Sequence, residues 1–297
     1  MNPKRGLGLA LAAAVLWSSA GFLCLHGLEL ESGLSSLAGT LIRVAVNLAF
    51  VLFVQFVIRG ERRLPWGTGG ADLWIWGLLG ALTIVTYFAS IQALGPGEAT
   101  LLQGVQGLVV AGLAPLFLGQ RSGWMSWTAI GGGILGLRLS LFQDLSAVDQ
   151  WEGRILALLS GLFAGLAYLL LSSIRGRHKP GTISFYWCIV SLVLAGGLAF
   201  LADNSFSIQG PALPWLLGAG LAGSLAQWLT TLAYEEAPAA LVASTSYLIP
   251  VFSLGWEALA RGRHLEGQAW VGAALILVSG MGLPYLQVRR DHSRPEA

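Results

Sequence analysis

The sequence predicts an all-α membrane protein with ten transmembrane helices, arranged as two five-helix repeats of opposite orientation. Hydrophobic residues make up 55% of its 297 residues and charged residues only 11%, less than half of the roughly 25% that soluble domains carry. Long segments lack charged residues, and similar residues recur 143 to 146 positions apart. This composition excludes a cytosolic enzyme, a disordered chain and a nucleic-acid-binding protein as first interpretations.

Ten apolar segments have about the 20 residues that a helix needs to cross a bilayer. Odd and even positions in these segments are both apolar, and the segments are longer than the strands of a membrane barrel, which alternate apolar and polar residues. Helices are therefore expected. The first segment also exceeds the apolar core of a cleaved signal peptide. The predicted spans are 6–28, 35–58, 73–95, 97–119, 124–142, 153–174, 180–202, 212–234, 237–259 and 267–288.

The distribution of basic residues predicts the orientation of these spans. If the N-terminus lies in the cytoplasm, twelve Lys and Arg residues fall on the cytoplasmic side and three on the outer side. Short loops follow the positive-inside rule, so both termini are expected to be cytoplasmic. Cys24 and Cys188 both lie in apolar runs. Their positions indicate neither a disulfide scaffold nor a metal site.

An internal repeat is visible when the chain is compared with itself. A shift of 143 places the third to fifth spans on the eighth to tenth, and a shift of 146 places the first span on the sixth. The predicted repeats are residues 1–143 and 144–297. Because five is an odd number, the second repeat enters the membrane from the opposite side. Secondary transporters share this plan, with a substrate site near mid-membrane between the repeats. Examples of the matches are Gly80 with Gly223, Trp127 with Trp270, and Phe22 with Tyr168.

Three sequence features carry a family resemblance. The first span contains Trp17-Ser18-Ser19, the second contains Arg43, and Ala237-Pro238-Ala239-Ala240-Leu241 leads to Tyr247-Leu248-Ile249-Pro250-Val251-Phe252 in the ninth. Together with the five-plus-five layout, they make residues 6–288 resemble the drug/metabolite transporter superfamily, specifically its ten-helix EamA-type exporters. The resemblance implies a single-chain carrier of the bacterial inner membrane. Such a carrier has a central cavity that opens alternately to each side, and it needs no cofactor.

Polar and aromatic residues inside the spans are the candidate substrate-binding groups. Polar side chains are costly in hydrocarbon and usually face the interior of a helix bundle. The alternative is that they make hydrogen bonds between helices or pack there. Arg43 is expected to bind a substrate carboxylate, to lock an outer gate, to extend toward the outer membrane surface or to brace the bundle. The candidates are Trp17, Ser18, Arg43, Tyr87, Gln103, Gln106, Tyr168, Gln227, Trp228, Ser244 and Tyr247.

Prolines and glycines within the spans predict local backbone features. Pro115 and Pro250 interrupt the fourth and ninth spans, where a proline removes a backbone hydrogen bond and bends the helix. We expect a hinge or a static bend at each. The pairs Gly132/Gly136 and Gly161/Gly165 are expected to allow close packing of helices.

The function predicted from these features is the movement of small organic metabolites, amino acids or drug-like solutes across the membrane, with export as the expected direction. The alternatives are a non-transporting scaffold or receptor and an intramembrane enzyme. The four histidines lie at span ends, in loops or in the tail, which argues against an enzyme. The expected partners are a small solute and the lipid bilayer, without nucleic acid. Proton coupling and facilitated diffusion both remain open, and a monomer is compatible with the sequence.

Overall fold

A computed structural model describes residues 2–30, 35–94, 96–119, 124–141, 151–174, 176–201 and 210–261, together with positions 271, 272, 274, 275 and 278. Every regular element within these residues is helical. The all-α fold class predicted from the sequence is therefore confirmed.

Six helices in the described residues are long and apolar enough to cross a membrane. They confirm the first, second, third, sixth, seventh and eighth predicted spans. Helix α2 continues into a π-helical turn, Val54–Ile58. The six are α1 (Pro3–Leu30), α2 (Ser36–Phe53), α3 (Ala71–Leu94), α7 (Trp151–Ile174), α8 (Pro180–Leu201) and α9 (Ala212–Glu236).

The fourth and ninth predicted spans are each divided into two helices. The fourth consists of α4 (Pro96–Gln103) and α5 (Val105–Leu118), separated at Gly104. The ninth consists of α10 (Ala239–Thr245) and α11 (Leu248–Arg261), separated at Ser246 and Tyr247. The two breaks occupy equivalent places in the predicted repeats, because Gly104 shifted by 143 positions falls on Tyr247.

Backbone hydrogen bonding explains the break between α10 and α11. A continuous helix would need the residue at position 250 to donate to the Ser246 carbonyl, but proline has no N–H. The Ser246 carbonyl instead accepts from the Ile249 amide at 3.1 Å, which tightens the turn. Pro250 thus acts four residues after the break and lies inside α11.

The break between α4 and α5 does not coincide with Pro115, where a hinge or a static bend stays a prediction. It lies at Gly104, whereas α5 continues without interruption through position 115. Glycine weakens a helix because its backbone has the most freedom to lose. The Gly104 carbonyl accepts from the Gly107 amide at 3.1 Å, in the same short turn as at Ser246.

The remaining predicted spans are described in part. Helix α6 (Trp124–Leu141) coincides with the fifth predicted span. Of the tenth span, 267–288, only the five positions between 271 and 278 given above fall within the described residues.

Helix packing pairs the two halves of the chain reciprocally. Helix α1 packs along α9, α7 packs along α3, and α2 packs against α8 and α9. Helices α5 and α11 pack on α7 and α1, respectively. The first and third spans of one half therefore contact the third and first spans of the other half.

The close contact between α7 and the fourth span depends on the predicted glycine pair. A Cβ atom at Gly161 would lie 2.5 Å from Val105 Cγ1, and one at Gly165 would lie 2.6 Å from Val109 Cβ. Side chains at these positions would push the two helices apart. The pair brings α7 against α5, next to the break at Gly104, as expected for small residues at a membrane helix interface.

Candidate functional site

Arg43 of α2 is buried among aromatic rings inside the bundle. Its side chain is only 9% exposed, and its guanidinium carbon lies 4.7 Å from the centre of the Trp17 ring and 5.7 Å from that of Phe88. Arg43 forms no ion pair with any side chain that the structure describes, and its Nε atom has no hydrogen-bond partner there. This cation is stabilised by the faces of aromatic rings instead.

Helix α9 presents a row of small and polar residues to Arg43 and Trp17. Gly223 contacts Arg43, since a Cβ atom at Gly223 would lie 3.1 Å from the arginine Nε. One turn later, Gln227 is 6% exposed and its Nε2 atom has no partner among the described residues. Thr230 Oγ1 then accepts a hydrogen bond from Trp17 Nε1 at 3.1 Å. At spacings of four and three residues the three positions share one helix face, so Gln227 lies between the contacts to Arg43 and Trp17.

Two tyrosines complete the surroundings of Arg43. Tyr87 of α3, Tyr168 of α7 and the buried thiol of Cys24 lie within electrostatic range of the guanidinium. The Tyr87 hydroxyl is 2.7 Å from Thr100 Oγ1. Tyr168 stacks on Tyr234, with 5.1 Å between the ring centres. Five of the predicted residues thus share one interior region, which we call the arginine chamber: Trp17, Arg43, Tyr87, Tyr168 and Gln227.

A second group of predicted residues holds the broken helices together. Tyr247 is 1% exposed, and its hydroxyl donates to the Gly104 carbonyl at 2.9 Å. Gln106 donates from Nε2 to Ser246 Oγ at 3.1 Å. The Tyr247 ring fills space left by Gly107 and Gly133. The two divided spans therefore meet at their breaks.

Gln103 and Ser244 also bond within this region. Gln103 Nε2 donates to Ser160 Oγ at 2.8 Å, and Ser160 in turn donates to the Thr83 carbonyl at 3.0 Å. The Ser244 hydroxyl donates to Leu241 in its own helix at 2.8 Å. These contacts match the alternative stated for polar residues in spans, namely hydrogen bonding between or within helices.

Ser18 and Trp228 lie apart from the arginine chamber. The Ser18 hydroxyl donates to the Val15 carbonyl at 2.7 Å and accepts from Trp256 Nε1 at 3.2 Å. Trp228 contacts Phe50 edge-on, and Arg59 lies 5.8 Å from its ring centre. Consecutive helical residues point about 100° apart, so Trp228 diverges from its neighbour Gln227.

Sequence reasoning missed three residues near the chamber. Phe88 is apolar and carried no signal beyond hydrophobicity. Tyr234 is the last residue of the predicted span 212–234, and its hydroxyl is buried without a partner among the described residues. Asn47 is 2% exposed. Its position four residues after Arg43, on the same helix face, was a readable signal.

One end of the bundle carries most of the described basic residues and is tied together by ion pairs; we call it the basic end. Asp72 contacts His178 at 3.0 Å and Arg177 at 3.4 Å, and Lys179 contacts Glu61 at 2.8 Å. The hydrogen bond from Lys179 is the main reason that the pKa of Glu61 is lowered from its ordinary value. These contacts join the loop after α2 and the first turn of α3 to the loop before α8.

A depression of about 460 Å³ opens at the basic end. Its lining residues are Gly176, Arg177, His178, Lys179 and Glu235. It lies beside the ion pairs rather than in the arginine chamber, since Arg177, His178 and Lys179 are themselves members of those pairs.

At the opposite end of α1 and α9, the His26 ring centre lies 4.3 Å from that of Trp215, and His26 stacks on Phe22.

Comparison with known proteins identifies the family. The model of the EamA-like transporter family matches residues 4–142 and again residues 151–283. A riboflavin transporter of Rhizobium johnstonii is 33% identical over 217 residues, covering 72% of this chain and 70% of the relative. The pseudopaline exporter CntI of Pseudomonas aeruginosa is 27% identical over 213 residues, covering 70% and 72%.

A solved crystal structure has the same fold. It has a TM-score of 0.83 and 17% sequence identity, with coverage of 99% of this chain and 100% of the other. The two family matches confirm the resemblance drawn from Trp17-Ser18-Ser19, Arg43 and the ninth span, and the apolar helices place the chain in a membrane. The chain belongs to the EamA-like transporter family and is a multi-pass membrane transporter of small metabolites.

Proposed function

We propose that this protein exports a small organic metabolite across the bacterial inner membrane, and that the solute binds in the arginine chamber. The observation that carries the proposal is the pair of buried donors, Arg43 Nε and Gln227 Nε2, that lack partners among the described residues. A buried donor without a partner costs about 1–3 kcal/mol, and more when the group is charged. A solute that accepts hydrogen bonds from both removes this cost.

Trp17, Tyr87 and Tyr168 provide the walls of the proposed site. Aromatic side chains offer a large apolar face together with a polar edge, which suits the body of an organic solute. We assign Gln103, Gln106, Ser244 and Tyr247 to the support of the broken helices, because their side chains already bond there. Ser18 and Trp228 have neighbours outside the chamber and are left out of the site.

The proposed transport cycle is alternating access of two inverted repeats, residues 1–143 and 144–297. Support comes from the reciprocal packing of α1 on α9 and of α7 on α3, which a two-fold axis between the repeats would produce. Discontinuous helices at the repeat interface are a feature of such carriers. We place the hinges at the breaks at Gly104 and Ser246, with Pro250 acting through the second, rather than at Pro115.

Both termini are proposed to lie in the cytoplasm, with the basic end facing inward. The positive-inside rule supports this orientation, because Arg5, Arg59, Arg177 and Lys179 all lie at that end. Reporter fusions after Arg63, Lys179 and Arg290 should show cytoplasmic activity. Fusions near Ser32, Asp149 and Asn204 should show external activity, and a reversed pattern would overturn the orientation.

Export without enzymatic chemistry is the simplest mechanism for this site. The described residues contain no group of three or more His, Cys, Asp or Glu side chains arranged for a metal, and no carboxylate lies in the chamber as described. We therefore propose facilitated movement without proton coupling. Export is preferred to uptake because one relative is named an exporter.

A direct test is reconstitution of the purified protein into liposomes loaded with a bacterial metabolite extract. Mass spectrometry should detect at least one solute leaving these vesicles faster than it leaves protein-free vesicles. Imposing a pH gradient of either sign should leave the rate unchanged. A solute that moves only with a proton gradient would contradict the uncoupled mechanism, and no solute movement at all would contradict the transport proposal.

A further inference from the structure

We propose that the transported solute carries a single carboxylate group on an aromatic or apolar body, and that this carboxylate binds between Arg43 and Gln227. The inference rests on the proposed function, since it names the chemical class of solute for the same site. It follows from the charge of the chamber, from the type of hydrogen-bonding atoms left unpaired, and from the walls around them.

The charge of the chamber calls for one negative group. A guanidinium remains protonated in proteins, so Arg43 brings one positive charge into a buried region of the bundle. Its neighbours are the rings of Trp17 and Phe88 and the neutral phenol and thiol groups of Tyr87, Tyr168 and Cys24. A charge in hydrocarbon surroundings is costly unless it is paired. One carboxylate neutralises it, whereas a dianion would leave an excess negative charge.

The unpaired atoms are both donors. Arg43 Nε and Gln227 Nε2 are buried without partners among the described residues, and each can only donate. A carboxylate accepts through two oxygens and has no donor to leave unsatisfied. A primary amide or an amine brings N–H groups that neither atom can accept. A carboxylate is therefore the group that satisfies both atoms at once.

The spacing of the two donors suits a group of this size. Gly223 touches Arg43, and Gln227 follows four residues later on the same face of α9, a rise of about 6 Å. A Cβ at Gly223 would lie 3.1 Å from Arg43 Nε, so a larger residue at this position would crowd the atom that we propose binds the carboxylate. The Trp17 ring lies beside both positions, through its contacts to Arg43 and Thr230.

The aromatic residues around Arg43 indicate the chemical character of the rest of the solute. The aromatic rings around Arg43 belong to Trp17, Phe88, Tyr87 and Tyr168; one face of Trp17 contacts the guanidinium and one face of Tyr168 stacks on Tyr234. Burial of apolar area stabilises binding by about 25 cal/mol per Å², so an aromatic or apolar body gains from these walls. A small hydrophilic acid such as acetate would satisfy the donors but leave the rings without contact.

Matched pairs of acids and amides test the proposal on the unmodified protein. The probes are benzoate and benzamide, phenylacetate and phenylacetamide, and 3-phenylpropionate and 3-phenylpropionamide, with phthalate as the dianion. Titration calorimetry at pH 7 on the detergent-purified full chain should show at least one acid binding about tenfold or more tightly than its amide. Charge-assisted hydrogen bonds support a difference of this size. Phthalate should bind more weakly than benzoate.

Variants of Arg43 and Gln227 test whether these two donors cause the preference for acids over amides. Arg43→Gln should lower the affinity for the acid by about 10- to 100-fold, to that of the amide. The affinity for the amide should stay unchanged. Arg43→Lys should keep part of the preference, because it keeps the charge but not the planar donor. Gln227→Leu should weaken the acid as well. The control is Arg59→Gln. It removes the arginine that follows the π-helical turn and lies beside Trp228, and this variant should bind the acid as tightly as the unmodified protein does.

The proposal is overturned if amides bind as tightly as their acids, if Arg43→Gln retains the preference, or if no acid in the set binds. If Arg43→Gln fails to fold, the comparison of acids with amides on the unmodified protein still tests the proposal. Vesicle transport separates this inference from the proposed function. If the exported solutes lack a carboxylate, the proposed export function holds and the carboxylate inference is wrong. If nothing is exported and no acid binds, the proposed function and the inference are both wrong.

Discussion

Replacing Gly107 with leucine should prevent the protein from accumulating as a folded, monodisperse species. The Tyr247 ring and hydroxyl occupy the space beside Gly107, where an added Cβ would overlap the tyrosine hydroxyl. On the other side, a Cβ at Gly133 would lie 2.9 Å from Tyr247 Cγ, so the ring has no free direction. Overpacking costs about 1–3 kcal/mol, and loss of the hydrogen bond to Gly104 adds about 1 kcal/mol.

Size-exclusion profiles and melting temperatures in detergent measure this effect. Gly112→Leu is the matched control on the same helix, because a Cβ there meets only an ordinary contact, at 3.7 Å from Trp127. It should elute and melt like the unmodified protein. Adding Tyr247→Ala to Gly107→Leu should restore part of the folded yield, since it empties the space. Normal elution and melting of Gly107→Leu alone would refute the role of this contact.

Replacing Trp17 with alanine should lower the transport rate by about 100-fold. The substitution removes the ring 4.7 Å from the Arg43 guanidinium and the hydrogen bond to Thr230. A desolvated cation–π contact contributes about 2 kcal/mol and a hydrogen bond about 1 kcal/mol. Their sum corresponds to a factor of about 100 or more in an equilibrium constant.

Initial efflux rates from vesicles with equal amounts of protein measure the loss. Trp17→Phe keeps an aromatic face and loses the N–H donor, so its rate should fall between those of the unmodified protein and Trp17→Ala. Trp124→Ala is the control, because Trp124 is 66% exposed on the bundle surface. A rate for Trp17→Ala within twofold of that control would show that the ring does not support the site.

The membrane spans were predictable because hydropathy and length depend on the bilayer alone. The breaks within the fourth and ninth spans were not, since they depend on single backbone hydrogen bonds, which the hydropathy of 97–119 and 237–259 does not reveal. Pro250 gave a partial signal for the second break. It removes a donor, but the effect is felt at the Ser246 carbonyl, four residues earlier. At Gly104 the glycine itself was the signal, among the 40 glycines of the chain.

The arginine chamber was predictable in part, because depth in a span can be read from the sequence and direction cannot. Arg43, Trp17 and Gln227 are polar or amphipathic at depth and face the interior. Trp228 has similar depth but lies one residue from Gln227, so it points elsewhere on α9. Tyr247 is also deep, yet its hydroxyl is taken by the Gly104 carbonyl. Such internal pairing depends on contacts between distant parts of the chain.

The contact between Tyr247 and Gly104 has a consequence for the symmetry of the two halves. In the repeat arrangement proposed above, these two positions are equivalent, being 143 residues apart. A homodimer of identical five-helix subunits would have the same residue at both places. It would then hold either two tyrosines competing for one space or two glycines and a void. A large residue facing a small one across the axis requires the two halves to differ in sequence, as two segments of one chain can. This contact is therefore incompatible with a symmetric homodimer of either half.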